Sequence, residues 1–314
     1  MMKEVSAKTD VARPEQQTSA RWYLAAHLAE RAALFHEASI LIEPDHSLRE
    51  KARQRFQRWK GQLPFQRADW CFGHRLAAHN LEEARLLDLL AMPAENLSAA
   101  FHTTPQWLLT LTHSFEHQDT SSLPLQEIND QNTQAVFLIL KPLLGLGFAR
   151  LRAGIADLQD HYRSLPFDPE QIRLLLFPFI FDLLSSKLTK TLVLELNIAR
   201  VQGQLQGETP EQRFAYFLQQ LAQPQATLAF LEEYSVLARQ MVETIERWIT
   251  CELEFLQRLC ADWNEIRERF FPSGDPGLLC EISEGAGDAH QGGRSVITLT
   301  WNSGLRLVYK PRLL

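Results

Sequence analysis

Cysteine is scarce in this chain. Its four cysteines, Cys71, Cys251, Cys260 and Cys280, form no CxxC pair and no metal-ligand spacing. A disulfide framework and a zinc ribbon are therefore not indicated, and free thiols in a reducing cytoplasm are expected. Long apolar runs are missing too. The longest, AVFLILKPLLGLGFA at 135–149, is interrupted by Lys141-Pro142 and falls short of the ~20 residues a bilayer helix needs. It reads as a buried helix kinked at Pro142. The start, MMKEVSAKTDVARPEQQ, has no apolar core of a secretion signal. Nor is positive charge in excess: 32 Lys and Arg face 38 Asp and Glu, a net −6, which argues against a general nucleic-acid binder. These absences describe a soluble, cytoplasmic protein with no membrane span. Glycine is sparse as well, 14 residues in 314, yet Gly285, Gly287, Gly292 and Gly293 crowd into GAGDAHQGG.

What is present divides into two grammars. From about residue 14 to residue 271 the periodicity is helical almost throughout. SARWYLAAHLAERAALFH (19–36) reads as one helix. SLREKARQRFQRWK (47–60) opens with a capping box, Ser47 with Glu50, and puts Leu48, Ala52, Phe56 and Trp59 on one face. Asn80 with Glu83, Thr104 before Pro105, and Thr209-Pro210 with Gln212 mark three further helix starts. A long helical stretch from Ala226 to Phe270 carries a candidate break near Thr250.

At PSGDPG (272–277) the helices stop and period-two segments begin. LLCEIS (278–283), SVITLTW (295–301) and LRLVYK (305–310) read as three antiparallel strands. Ile297, Leu299 and Trp301 share a face, Asn302-Ser303-Gly304 makes a three-residue hairpin, and Lys310 shares a face with Arg306 and Val308. The expected fold is α+β, mostly α. A polar, flexible N-terminus covers 1–18, a large helical region 19–271, and the short sheet 272–314.

The glycine loop is not a Walker A loop. Gly293 stands where the lysine belongs, and a strand follows instead of a helix. GxGxxG fails on the spacing between Gly287 and Gly292. Strand, glycine loop, strand, hairpin, strand ending in lysine is instead how the N-lobe of a protein or lipid kinase covers ATP. Glycines let the backbone approach phosphates and Lys310 supplies a point charge. The same string also fits a plain glycine-rich loop beside a surface lysine.

Two other strings invite chemistry. HSFEH (113–117) matches the inverted zincin pattern, with His113 and His117 one helical turn apart and Glu116 as a base, but no third ligand is assignable and a solvated helix face explains it more simply. Helix 47–60 carries Arg49, Lys51, Arg53, Arg55, Arg58 and Lys60. An acidic-peptide or nucleic-acid partner is one reading of it, and a solvated face over a core stripe is the blander one.

GDAHQGGRSVITLTWNSGLRLVYKPR closely resembles a segment of class II lanthipeptide (lantibiotic) synthetases, the LanM family. That segment reads approximately G-D-x-H-x-x-G-R-S-V, a hydrophobic strand, then L-V-Y-K-P-R. RFQRWKGQLPF (55–65) and TLVLELNIARVQGQLQGETPEQRFAYF (191–217) look like stretches of the same dehydratase region, so the resemblance runs from about residue 20 to Leu314. It implies a kinase-like dehydratase that uses ATP and Mg²⁺ to phosphorylate Ser and Thr of a precursor peptide (a leader plus a Ser/Thr/Cys-rich core). The same site then eliminates phosphate to give dehydroamino acids. By the resemblance, Lys310 serves ATP, Asp288 and His290 belong to elimination, and Gly287, Gly292 and Arg294 frame the loop. The family's remaining catalytic-loop and metal-binding residues, and its zinc cyclase domain, would lie beyond Leu314. The chain is therefore expected to be a truncated, frameshifted or split synthetase, inactive alone, with its three strands exposing hydrophobic surface and a bare edge. A separate chain carrying the rest is a candidate partner. A non-catalytic helical module binding a leader peptide or a partner chain is the alternative.

Overall fold

The computed structural model describes residues 19–34, 43–63, 65–67, 69–117, 123, 131–272, 274–284 and 296–311. They form an α+β protein, mostly helical, with one three-stranded antiparallel sheet after a large helical region. The chain divides into two compact units between His102 and Thr103. The change of periodicity at residue 272 therefore falls inside the second unit, where the sheet is packed on helices.

In the first unit the segment expected as one helix is two. A 3-10 helix, Ala20–Ala25, ends at Ala26, and α1 covers Leu28–Leu34. The Glu30 carboxylate accepts the His27 N–H at 2.7 Å and starts the chain afresh. Then follow α2 (His46–Lys60), a 3-10 turn (Phe65–Arg67), α3 (Asp69–Ala77), α4 (Glu83–Ala91) and α5 (Ala94–Ala100). The cap of α2 is Asp45, which accepts from the Leu48 N–H at 2.7 Å; Ser47 already lies inside the helix. Asn80 does not start α4. It adopts a left-handed φ of 52°, and the Leu81 N–H returns to the Leu76 carbonyl at 3.0 Å, the closure that ends α3. Ala52 and Phe56 of α2 are buried, with Phe56 edge-on to Phe72 of α3 at 5.4 Å.

The second unit holds α6 (Gln106–Glu116), α7 (Gln131–His161), α8 (Gln171–Val201), α9 (Pro210–Leu221), α10 (Pro224–Glu233) and α11 (Ser235–Phe270). The cap position of α6 falls on Pro105 and has no side-chain bond, so Thr104 caps nothing. Thr209 behaves as expected: it accepts from Gln212, whose side chain returns to the cap N–H. Both α7 and α8 run unbroken through an internal proline, Pro142 and Pro178. Each proline frees the carbonyl four residues before it, and those residues, Leu138 and Leu174, are exposed, so water can take the missing donor's place.

Helix α11 is the spine. At 1.5 Å per residue its 36 residues span about 54 Å. Thr250 does not break it; the helix runs on through it while its hydroxyl donates back to the Glu246 carbonyl at 2.9 Å. The break sits at Tyr234, between α10 and α11. The Tyr234 hydroxyl donates to Glu195 of α8. Burial first, then that bond and charge, push the phenol up to about 12. A raised folded-state value means that this stabilisation is complete below pH 10 and is lost as pH climbs from 10 toward 12. Tyr234→Phe should therefore unfold more easily than wild type at pH 8, by on the order of 1 kcal/mol. Urea melts at pH 11.5 should show that difference shrinking; a gap that stays constant with pH contradicts the assignment.

Close approach of α7 to α11 requires glycine. A Cβ at Gly147 would meet Ile245 Cγ2 at 2.7 Å, and a β-branched side chain in a helix has little freedom to turn away. Gly147→Ala gains about 1 kcal/mol of helix propensity against roughly 1–3 kcal/mol of overpacking. The expected net result is destabilisation, with Gly147→Ala/Ile245→Ala losing less than the sum of the two singles. Strict additivity in thermal melts would rule the clash out.

Candidate functional site

The sheet comprises β1 (Leu279–Glu284), β2 (Ile297–Trp301) and β3 (Arg306–Tyr309), in that order and antiparallel. Its hairpin follows the sequence pattern. Gly304 has a φ of 85°, its N–H reaches the Trp301 carbonyl at 2.8 Å, and the Trp301 N–H reaches the Leu305 carbonyl at 3.0 Å. In β1 an irregularity between Leu279 and Glu281 lets Leu279 and Ile282, three residues apart, both be buried.

The apolar face of this sheet is not bare, which corrects the expectation of three unprotected strands. Ile297, Leu299 and Trp301 are buried. Trp301 stacks on Trp263 of α11 with ring centroids 5.6 Å apart, and Tyr309 packs on Phe255 at 5.1 Å. Arg258, itself paired with Glu254, donates to the Tyr309 hydroxyl at 3.2 Å. On the far side of β1, the Leu279 N–H donates to the Pro166 carbonyl at 2.8 Å and Phe167 forms a β-bridge with Leu279. The N-terminal half of α11 buries Met241, Val242, Ile245 and Trp248, and its C-terminal half Phe255, Leu259 and Trp263. One helix thus joins the helical body to the sheet. Sequence reading had no means to pair Trp263 with Trp301 or Arg258 with Tyr309, since each pair is formed by tertiary packing alone.

The opposite face is polar and open. Thr298 and Thr300 are half-buried, and Ser283, Arg306, Val308 and Lys310 are exposed. Lys310 directly follows β3 and continues the face of Arg306 and Val308, as its alternation required. The register pairs Glu284 with Ile297 and Ile297 with Tyr309. Both roots of the 285–295 segment, Glu284 and Val296, therefore stand at the same end of the sheet as Lys310. Continuing the register sets Lys310 opposite Val296, about 5 Å away between backbones. Gly287, Asp288, His290, Gly292 and Arg294 lie outside the described residues, as do 1–18.

The other candidates resolve differently. His113 and His117 are exposed at the end of α6, their rings stacked with centroids 4.3 Å apart. Among the described residues no three His, Cys, Asp or Glu side chains form a group suited to a metal ion. The buried Cys260 thiol is pushed up to about 11 by burial, which leaves it protonated and inert at neutral pH. Cys280 is exposed on β1, its Sγ 3.3 Å from the Thr300 carbonyl. Among the described residues no helix is long and apolar enough to cross a membrane.

The fold and site together define a class: a helical body whose last long helix carries a three-stranded antiparallel sheet with Lys310 just beyond its third strand. Residues 234–314 match the model of a domain of unknown function, DUF4135, a domain associated with lanthipeptide synthetase-like proteins. The match begins at Tyr234, the residue that caps α11, and covers that helix and all three strands. No curated protein matches the sequence.

Proposed function

We propose that this chain forms the part of a kinase-like lanthipeptide dehydratase, of the LanM type, that carries the phosphate-side loop and the lysine strand. The observation that carries the reading is the register that sets Lys310 opposite Val296 and at the same end of the sheet as Glu284, the two roots of the 285–295 segment. The match of the same region to a domain found in lanthipeptide synthetase-like proteins supports it. A solvated ammonium at the open end of a sheet suits the phosphates of ATP, as a point charge free to reach them. Among the described residues no three His, Cys, Asp or Glu side chains are grouped to hold Mg²⁺.

In this reading Lys310 neutralises the phosphate charge of bound ATP while a Ser or Thr hydroxyl of a precursor peptide is phosphorylated. Phosphorylation turns a poor leaving group into a good one. Asp288 and His290 then serve the elimination, in which the α-proton is removed and phosphate departs as the carbon–carbon double bond forms. Gly287, Gly292 and Arg294 shape the loop. Binding of a fluorescent ATP analogue tests the nucleotide half. Lys310→Ala should weaken it about tenfold, whereas Arg306→Ala, at the far end of the same strand, should not. Equal binding by Lys310→Ala, or none by wild type, would sink the reading. The chemistry is tested by the mass of a Ser/Thr-rich precursor peptide incubated with this chain, ATP and Mg²⁺. The proposal requires a gain of phosphate or a loss of water, supplied by this chain or by its complement with a chain bearing the remaining site residues.

A further inference from the structure

We propose that the outer face of α2 is a docking surface for a short acidic peptide segment carrying an apolar anchor. The proposal does not depend on the nucleotide reading. Helix α2 holds six cations and one carboxylate in a chain whose net charge is −6. The cations form two stripes that differ in one respect. Arg49, Arg53 and Lys60 each face a carboxylate: Glu43 at 3.6 Å, Glu50 at 3.7 Å and Glu83 at 3.1 Å. Lys51, Arg55 and Arg58, spaced i, i+4 and i+7, are exposed and face no carboxylate among the described residues.

Like charges one turn apart repel each other on a helix, and Arg55 also acts unfavourably on the buried Arg31. The unmatched stripe is thus an electrostatic cost to the fold that a ligand of opposite charge would relieve. Two apolar side chains of the same unit are also left in water, Leu63 just past the helix and Trp70 at the start of α3, 65% and 67% exposed. Trp70 is held edge-on by His74 at 5.2 Å, and tryptophan is enriched at the anchor positions of binding surfaces.

Two features favour a peptide over RNA. An exposed aliphatic side chain, Leu63, suits an apolar side chain better than a stacked base. The chain's overall negative charge repels a long polyanion, whereas three carboxylates at matching spacing feel mainly the local stripe.

The test uses the full chain and a labelled helical peptide with glutamates at i, i+4 and i+7 and a leucine or tryptophan one turn beyond. Fluorescence anisotropy should show binding that weakens with added salt. The charge reversal Lys51→Glu/Arg55→Glu/Arg58→Glu should weaken it at least tenfold, and a peptide with lysines in place of the glutamates should then bind the reversed chain. Trp70→Ala should weaken the acidic peptide several-fold. A neutral triple variant, Lys51→Gln/Arg55→Gln/Arg58→Gln, should lose binding while melting no lower than wild type, which separates lost docking from lost folding. No binding of the acidic peptide, binding indifferent to charge reversal, or tighter binding of a single-stranded RNA of equal length or of anionic vesicles would each overturn the proposal.

Discussion

Trp301→Ala should detach the sheet from α11 and cost about 3–5 kcal/mol, among the largest losses available in the second unit. The indole is 1% exposed and lies at the end of β2, where β1, β2 and the hairpin meet. Truncation removes its stack on Trp263 and leaves a cavity between strand and helix that the surrounding side chains only partly fill. The loss should be local in hydrogen exchange. Amides of β1, β2 and β3 should exchange faster, and those of α2 and α4 in the first unit should not change. Trp301→Phe is a sharper variant. The Trp301 Nε1 is buried without a hydrogen-bond partner, so phenylalanine keeps most of the stacking area and removes an unsatisfied donor. It should cost much less than alanine. Because α11 orders the strand that leads to Lys310, the alanine variant should also lose any ATP binding, in parallel with sheet protection. A loss under about 1 kcal/mol, or unchanged exchange in the sheet, would show that α11 does not hold it.

The sheet was the most legible part of the sequence, and the reason is physical. Alternation of Ile297, Leu299 and Trp301 with Thr298 and Thr300 has one solution when a single face is buried, and Gly304 supplies the left-handed residue that its hairpin needs. Lys310 followed from the same parity. Helix existence was also legible, but helix ends were less so. Ser47, Asn80 and Thr104 all carry the right chemistry for a cap, yet only Thr209, of the four, has a helix beginning directly after it with a partner in reach. Asp45 wins over Ser47 by starting the helix sooner, and Asn80 ends one helix instead of opening another. Pro178 shows a second limit: α8 runs through it, as α7 runs through Pro142, where a helix was expected. A proline costs a helix one bond, but whether the helix survives depends on tertiary packing that composition does not encode. The grip of α11 on the sheet is of the same kind.

Arg31→Ala is expected to cost the first unit about 3–4 kcal/mol, although in the sequence Arg31 resembles any surface arginine of an alanine-rich helix. Its side chain is buried. Nε donates to the Ala26 carbonyl at 3.0 Å, one Nη to Leu24 at 2.7 Å and the other to Leu89 at 3.0 Å. Leu24 lies in the last turn of the 3-10 helix, Ala26 just follows it, and Leu89 lies in the last turn of α4. Carbonyls at these positions have no intrahelical donor and carry the negative end of the helix dipole. One guanidinium therefore caps two helices and ties them together. Burial, and then the nearby Arg55, lower it to about 10, so it remains charged at neutral pH and keeps all its donors. Alanine would strand three carbonyls, at least one of them in a buried contact. Lysine should rescue little, because an ammonium on a flexible stem lacks the planar fork that spans carbonyls on two elements. Methionine, which fills the volume without donating, separates packing from hydrogen bonding. Urea unfolding followed by exchange of α1 and α4 amides reads the result. Lysine matching wild type, or methionine doing so, would show that the three bonds are not what holds these helices together.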